Sequence, residues 1–483
     1  MQLKISQISF LFAIVFVLST SIGIHYSLAQ TDTSLAPMLG RKVKVNNIFI
    51  IGNEKTKKEI ILRELDFTTD FDYDWETLVE ILIADQKKIY NLRLFTSVEI
   101  TPLEIDESEV EVLITVKERW YILPQLIFQL ADRNFSEWWT NQGRDFSRVN
   151  FGLRLSHSNV AGRNEKLRFS GQLGFTRSLD FQYSKPYIDK NQKHGLAFQV
   201  TFNENKSIPI KSEFNRQVFY TAEDERILRK DMGAAVRYTY RRSFYNFHFF
   251  TLGYNFTNID PEILVQNPDY FQNGGTNLRY LYSSYTFRHD NRDNIAYVTD
   301  GELLQVSITK YGIFFVDELD EVEVSITANK YWKINDRFNF NTGLTADWFL
   351  SEQQPYTLVR GIGYSPDFIR GYELNVIEGQ QLYVHKNSFR WKFFDKEFDV
   401  SRFFKLEQFS TIPVRLYWSA NFDHGYVTDR NRIPENSRLA NTYLFGYGTG
   451  IDLVGFYDSV LRFEYSLNNS GEGNFFFNFK TPF

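Results

Sequence analysis

The sequence predicts a mainly β fold, a transmembrane antiparallel β-barrel of about sixteen strands preceded by one small α+β domain. Three observations predict it. From Tyr121 to the end, apolar residues recur at every second position, the period of a strand. The apolar face is dense in aromatics on segment after segment, while the other face carries charges and glycines. The segments run about 10–16 residues, longer than the ~5–6 usual in soluble sheets and long enough for the ~9–11 that a barrel crossing needs. This arrangement reconciles 47 Phe, 28 Tyr and 8 Trp among 483 residues with a mean hydropathy of -0.35. A soluble β-sandwich also alternates, but it has no reason to place aromatics on one face of every strand.

In chain order, residues 1–29 read as a secretory signal peptide. Lys4 supplies a sparse positive start, Ile8 to Leu18 is nearly unbroken apolar, and Ser27-Leu28-Ala29 offers small residues where a signal peptidase reads. That run is short for a ~20-residue span, and no later stretch approaches ~18 apolar residues, so no transmembrane helix is expected in the mature chain. Residues 41–120 form the α+β domain. A strand from Val43 to Ile51 stops at Gly52-Asn53. Helices are expected over Thr56 to Leu65 and over Asp74 to Leu92, with Asp74 as N-cap and Leu78, Ile81, Leu82, Ile89 and Leu92 at helical spacing. Leu94 to Leu103 and Val110 to Val116 are alternating strands.

The barrel occupies 121–483. Its strands are expected near 123–131, 147–158, 164–176, 178–187, 194–203, 230–242, 246–257, 278–289, 302–314, 320–332, 338–350, 381–394, 412–424, 442–455, 459–468 and 474–483. Phe214 to Tyr220 reads either as a further strand or as one arm of a long hairpin. In the last strand Gly473 precedes Phe475, Phe477, Phe479 and Phe483 on one face, with Asn474, Asn478 and Lys480 on the other. The stretch 351–379 is too long for a simple hairpin and rich in Gly, Pro and Arg, which marks it as a functional loop.

Within that loop, Phe368-Ile369-Arg370-Gly371-Tyr372 resembles the [V/I]-R-G-[F/Y] signature of the BamA/TamA-type outer-membrane insertase superfamily, which includes two-partner secretion pores. Other landmarks agree. The 41–120 domain looks like a single POTRA domain, from Ile50-Ile51-Gly52-Asn53 through Leu94-Phe95-Thr96-Ser97-Val98 to Val116-Lys117-Glu118-Arg119. Asn159-Val160-Ala161-Gly162 and Phe181 to Pro186-Tyr187 are similar to the family's first hairpins, and Phe287 to Asn294 with Gly301 resembles its mid-barrel motif. The terminal Phe483 looks like an outer-membrane targeting signal. The resemblance implies that Arg370 folds into the lumen and pairs with an acid on a neighbouring strand. Asp423 is the matching position. The family's second acid falls at Ser388, two residues before Arg390, so Arg390 is expected to compete for Asp423.

Other chemistry is not expected. A formal charge of -5 gives no basic field for nucleic acid. The absence of Cys excludes disulfide scaffolds, thiolate metal sites, thiol catalysis and a lipidated cysteine. No zinc motif or Gly-x-Ser-x-Gly elbow occurs, and Asp290, Asp293 and Asp300 lack the spacing of a calcium loop. No catalytic residue, metal or cofactor is therefore expected. The resemblance implies an outer-membrane location with the POTRA-like domain in the periplasm. Its implied partners are outer-membrane lipids, unfolded outer-membrane or secreted polypeptides, and periplasmic accessory proteins. Its implied role is an accessory or specialised assembly factor working by strand augmentation at a weak seam; the alternative is a two-partner-type pore exporting one polypeptide.

Overall fold

A computed structural model describes residues 40–480 except 133–134, 141–142, 315–316, 352–353, 365–367, 401–410, 431–436 and 456–458. The expected signal peptide and Phe483 lie outside the described residues.

The N-terminal domain runs β1 (Lys42–Ile51), α1 (Lys58–Leu62), β2 (Asp72–Asp74), α2 (Trp75–Asn91), β3 (Phe95–Glu104) and β4 (Glu109–Glu118). Its sheet order is β2-β1-β4-β3, with β1 parallel to β4 and the other pairs antiparallel. A parallel pair requires a crossover, which the two helices provide. Val110, Val112, Ile114 and Val116 alternate inward on β4 and meet Leu78, Leu82 and Ile89 of α2 in one core. Each such side chain contributes roughly 1.5–3 kcal/mol on burial. The short strand β2 was not expected, and the helices differ in detail. The first helix is only 58–62, and Asp74 is the N-cap of α2 as expected, though its side chain makes no capping bond.

Sixteen antiparallel strands then form one sheet in sequence order. They begin with β5 (Ile122–Leu130), followed after α3 (Phe135–Thr140) by β6 (Val149–Val160), β7 (Glu165–Gly174), β8 (Thr176–Lys185) and β9 (His194–Asn205). The hairpin β10 (Ser207–Glu213) and β11 (Arg216–Thr221) stands outside this sheet, so Phe214 to Tyr220 belongs to the arm of a hairpin and not to the barrel wall. The sheet resumes with β12 (Arg229–Arg241) and β13 (Asn246–Ile259). After α4 (Pro261–Gln266) come β14 (Asn277–Asp290), β15 (Gly301–Tyr311), β16 (Glu321–Lys333) and β17 (Phe338–Phe349). A second excursion holds the small pair β18 (Arg360–Ile362) and β19 (Ile377–Gly379). The wall closes its run with β20 (Gln381–Asp399), β21 (Thr411–Thr428), β22 (Leu444–Val454), β23 (Val460–Asn468) and β24 (Gly473–Lys480).

Alternation sorts the two faces. Leu126, Phe128 and Phe475 present 88%, 76% and 77% of their surface outward, an apolar exterior suited to lipid. No helix among the described residues is long and apolar enough to cross a membrane. The ends of the sheet are β5 and β24, and no ladder joins them among the described residues. Helix α3 lies against β24 at this opening.

One end of the barrel receives the N-terminal domain. Lys57 N–H donates to the Gly162 carbonyl at 3.0 Å, and Asn159 Nδ2 donates to Thr56 Oγ1 at 2.9 Å. Asn91 Nδ2 donates to the Arg292 carbonyl at 2.9 Å. Arg241 grips Glu64 with two bonds of 2.8 Å. Burial pushes the Glu64 carboxyl up to about 7 while Arg63 and Lys88 pull it down, and the forked bond from Arg241 favours the ionised form. At the opposite end, α4 and the β10–β11 hairpin pack with the ends of β13 and β14 around Ile208, Ile263, Tyr270 and Phe271.

Candidate functional site: a loop arginine seated in the lumen

The excursion between β17 and β20 folds back into the barrel. At its base Ile362 pairs with Ile377, and these two join Ile369, Tyr372, Leu382, Val384, Val427 and Leu444 in a buried apolar cluster. The tip, residues 369–372, rests on the inner faces of β21, β22 and β23. Glycines make that approach possible. A Cβ on Gly446 would lie 1.7 Å from the Arg370 carbonyl oxygen, and one on Gly371 would lie 2.6 Å from the Asn468 amide nitrogen. Gly371 also has φ of +86°, a backbone state that glycine adopts without a steric cost.

Arg370 is seated by two carboxylates. Its Nη1 lies 2.7 Å from Asp423 Oδ1 and its Nε 2.8 Å from Glu464 Oε1. Its backbone N–H reaches Asp423 Oδ2 at 3.3 Å. Asp423 is 0% exposed. A planar guanidinium with its charge matched on two sides suits such burial better than an ammonium would. Around the pair, Gly371 N–H donates to Ser466 Oγ at 3.1 Å, Ser466 Oγ to Glu373 Oε1 at 3.2 Å, and Asn468 Nδ2 to the Gly371 carbonyl at 3.1 Å. Tyr372 donates its hydroxyl to Asn469 Oδ1. Asn421 Nδ2 holds Glu464 Oε1 at 3.1 Å.

The structure thus brings Ile369, Arg370, Gly371 and Tyr372 together with Asp423. It corrects two expectations. The second acid comes from β23, as Glu464, and not from the Ser388 position on β20. Arg390 does not compete: it stacks over the Tyr297 ring at 4.9 Å and donates to the Val298 carbonyl at 3.3 Å. Glu464 is legible in the sequence as an inward position of its strand, but alternation alone does not say which strand a folded loop will touch.

A further residue that sequence reasoning missed is Asn215, at the tip of the β10–β11 hairpin with φ of +60°. Its backbone carbonyl accepts from Val376 N–H at 2.7 Å. Its side-chain amide donates to the Val376 carbonyl at 3.2 Å, and its Oδ1 accepts from the Arg438 and Leu439 N–H groups at 3.0 and 3.3 Å. One buried amide therefore ties the inward loop to the segment between β21 and β22.

Of the other predicted residues, Gly473 pairs with Leu467 at the start of β24. Phe475 and Phe477 pair with Tyr465 and Phe463 and face outward, and Phe479 pairs with Leu461. Asp290 is bound by Arg292 at 2.7 Å, and Asp293 Oδ1 accepts from Thr299 N–H at 3.0 Å, so both serve turn structure. Among the described residues no group of His, Cys, Asp or Glu is placed to hold a metal ion.

The barrel resembles known structures at low sequence identity. BamA from Haemophilus ducreyi lacking POTRA domains 1-3 is 13% identical with a TM-score of 0.50, over 91% of this chain and 84% of that one. CdiB from Escherichia coli is 13% identical with a TM-score of 0.54, over 90% of this chain and 76% of that one. No curated protein matches the sequence. The family model of the Omp85 superfamily domain matches residues 159–454, which hold the inward loop and Asp423 as well as most of the wall, and end before Glu464. A β-barrel of the outer membrane with an arginine-tipped loop seated in its lumen, the chain belongs to the Omp85 superfamily.

Proposed function

We propose that the chain assembles other polypeptides into the outer membrane by strand augmentation, as an accessory or specialised factor with its POTRA-like domain in the periplasm. The observation that carries this reading is that no ladder joins the sheet ends β5 and β24 among the described residues. A strand edge without a ladder offers free N–H and C=O groups, which are a template for an incoming strand. The periplasmic domain has its own edge strands, β2 and β3, to which an unfolded client or accessory protein adds in the same way. No bond-making chemistry enters this role, and no cofactor is invoked.

A translocation pore is the second reading, favoured by the excursion that occupies the lumen and whose withdrawal would open a path. Depletion of the protein followed by outer-membrane and culture-supernatant proteomics tests both. Loss of several barrel proteins supports assembly, and loss of a single secreted protein replaces it with export. An unchanged outer membrane and secretome would sink both.

A further inference from the structure

Between the N-terminal domain and the inner face of β12 to β15 lies a cavity of about 970 Å³. Its lining holds eleven Lys and Arg side chains against three carboxylates, although the whole chain carries a formal charge of -5. Positive charge is thus gathered at one place in an acidic protein. The three carboxylates, Glu64, Glu80 and Asp290, are outnumbered, although Lys88 and Lys185 find partners just beyond the lining, in Asp66 and Asp85 and in Glu165. Glu64 is already held by Arg241, Asp290 is bound by Arg292 at 2.7 Å, and Arg288 approaches Asp290 only to 3.8 Å. Lys87, Lys166, Lys193 and Arg237 form no ion pair among the described residues.

The wall between these cations is built of flat rings and hydroxyls. Arg288 lies 5.5 Å from the Phe247 ring centroid and 5.6 Å from that of Phe249, and Arg237 lies 5.9 Å from Phe249. Arg237 Nε donates to Thr251 Oγ1 at 3.3 Å. Stacking holds a guanidinium by its face and leaves its edge N–H groups for a carboxylate. Gathering like charges in a walled lumen is costly, and it focuses a positive potential on whatever enters.

We propose that this vestibule binds an acidic polypeptide segment, one rich in Asp and Glu, as it enters from the periplasm. The sheet wall separates the cavity from lipid, and its Thr and Ser hydroxyls suit an extended backbone better than an acyl chain. The occupant rests on the reading of the chain as a factor that handles polypeptides, but binding is measured without any assembly assay, so either idea fails separately.

The test uses the full chain folded in detergent and fluorescent decaglutamate, decaglutamine and decalysine peptides. Decaglutamate is expected to bind saturably, to weaken about tenfold or more as salt is raised through the physiological range, and to be bound in preference to the other two. Lys166→Gln with Arg237→Gln is expected to weaken it by about tenfold, the loss of roughly 1.4 kcal/mol, with heat-modifiable migration unchanged. Should that pair not yield a folded barrel, Lys87→Gln with Lys193→Gln takes its place. Equal binding of all three peptides, or full affinity in the variants, overturns the proposal. Displacement of decaglutamate by lipopolysaccharide micelles but not by the neutral peptide overturns it in favour of a phosphate-bearing glycolipid.

Discussion

Removing Arg370 leaves Asp423 charged, fully buried and without its cation. An uncompensated charge of that kind costs about 3–5 kcal/mol, so Arg370→Ala is expected to lower the temperature of heat-modifiable migration strongly. Asp423→Asn is expected to be milder, because Glu464 still holds Nε at 2.8 Å. The double variant should be less damaged than Arg370→Ala alone, a non-additivity expected when two residues share one contact. Equal effects of the two single variants would refute the shared seating. Gly446→Ala tests the same seat sterically, since its Cβ would meet the Arg370 carbonyl oxygen at 1.7 Å. It should expel the tip and raise single-channel conductance, whereas Gly471→Ala, with open space around it, should cost only backbone strain of about 1 kcal/mol. Asp423 was legible because alternation places it inward on β21. Glu464 was legible as inward but not as a partner, since it lies 94 residues from Arg370 in sequence and meets it only when the loop reaches across the lumen.

At the scale of elements, two excursions and one domain are held by few contacts. Asn215→Ala removes the side-chain bonds to Val376, Arg438 and Leu439. Each is worth about 1 kcal/mol, more where a buried partner is left unsatisfied. Protease added to intact cells should then cleave within 351–379 faster than in the parent, and unchanged cleavage would show that the hairpin does not brace the loop. At the other end, Glu64→Ala leaves Arg241 without its carboxylate. Spin labels on α2 and on the turn between β6 and β7 should report a broader distance distribution, while the barrel itself migrates normally. The sixteen wall strands could be read from period two because every one of them divides water or lumen from an apolar exterior. The hairpin β10–β11 could not be placed, for its Ile208 and Ile210 alternate as a wall strand would, yet they bury in the cap with Ile263 and Tyr270.

For the whole molecule, the proposed strand augmentation depends on the seam between β5 and β24. The chain contains no Cys, so a pair introduced with one member in β5 and one in β24 has no competing native thiol. Oxidation should reduce client assembly to background and reductant should restore it; undiminished assembly with a closed staple would sink the strand-augmentation mechanism. The sequence pointed to a seam only through the family resemblance, because both strands alternate normally and a missing ladder is a property of how the sheet ends meet.

The docked N-terminal domain and the arginine-seated loop stand at opposite ends of one lumen, and for a chain that handles polypeptides as proposed that arrangement would work as an airlock. If one barrier withdraws only while the other stays shut, a polypeptide is admitted without a continuous water path across the membrane. Cells carrying Arg370→Ala should then tolerate the loss better than cells that combine it with Glu64→Ala, whose outer membrane should admit small dyes and antibiotics that either single variant excludes.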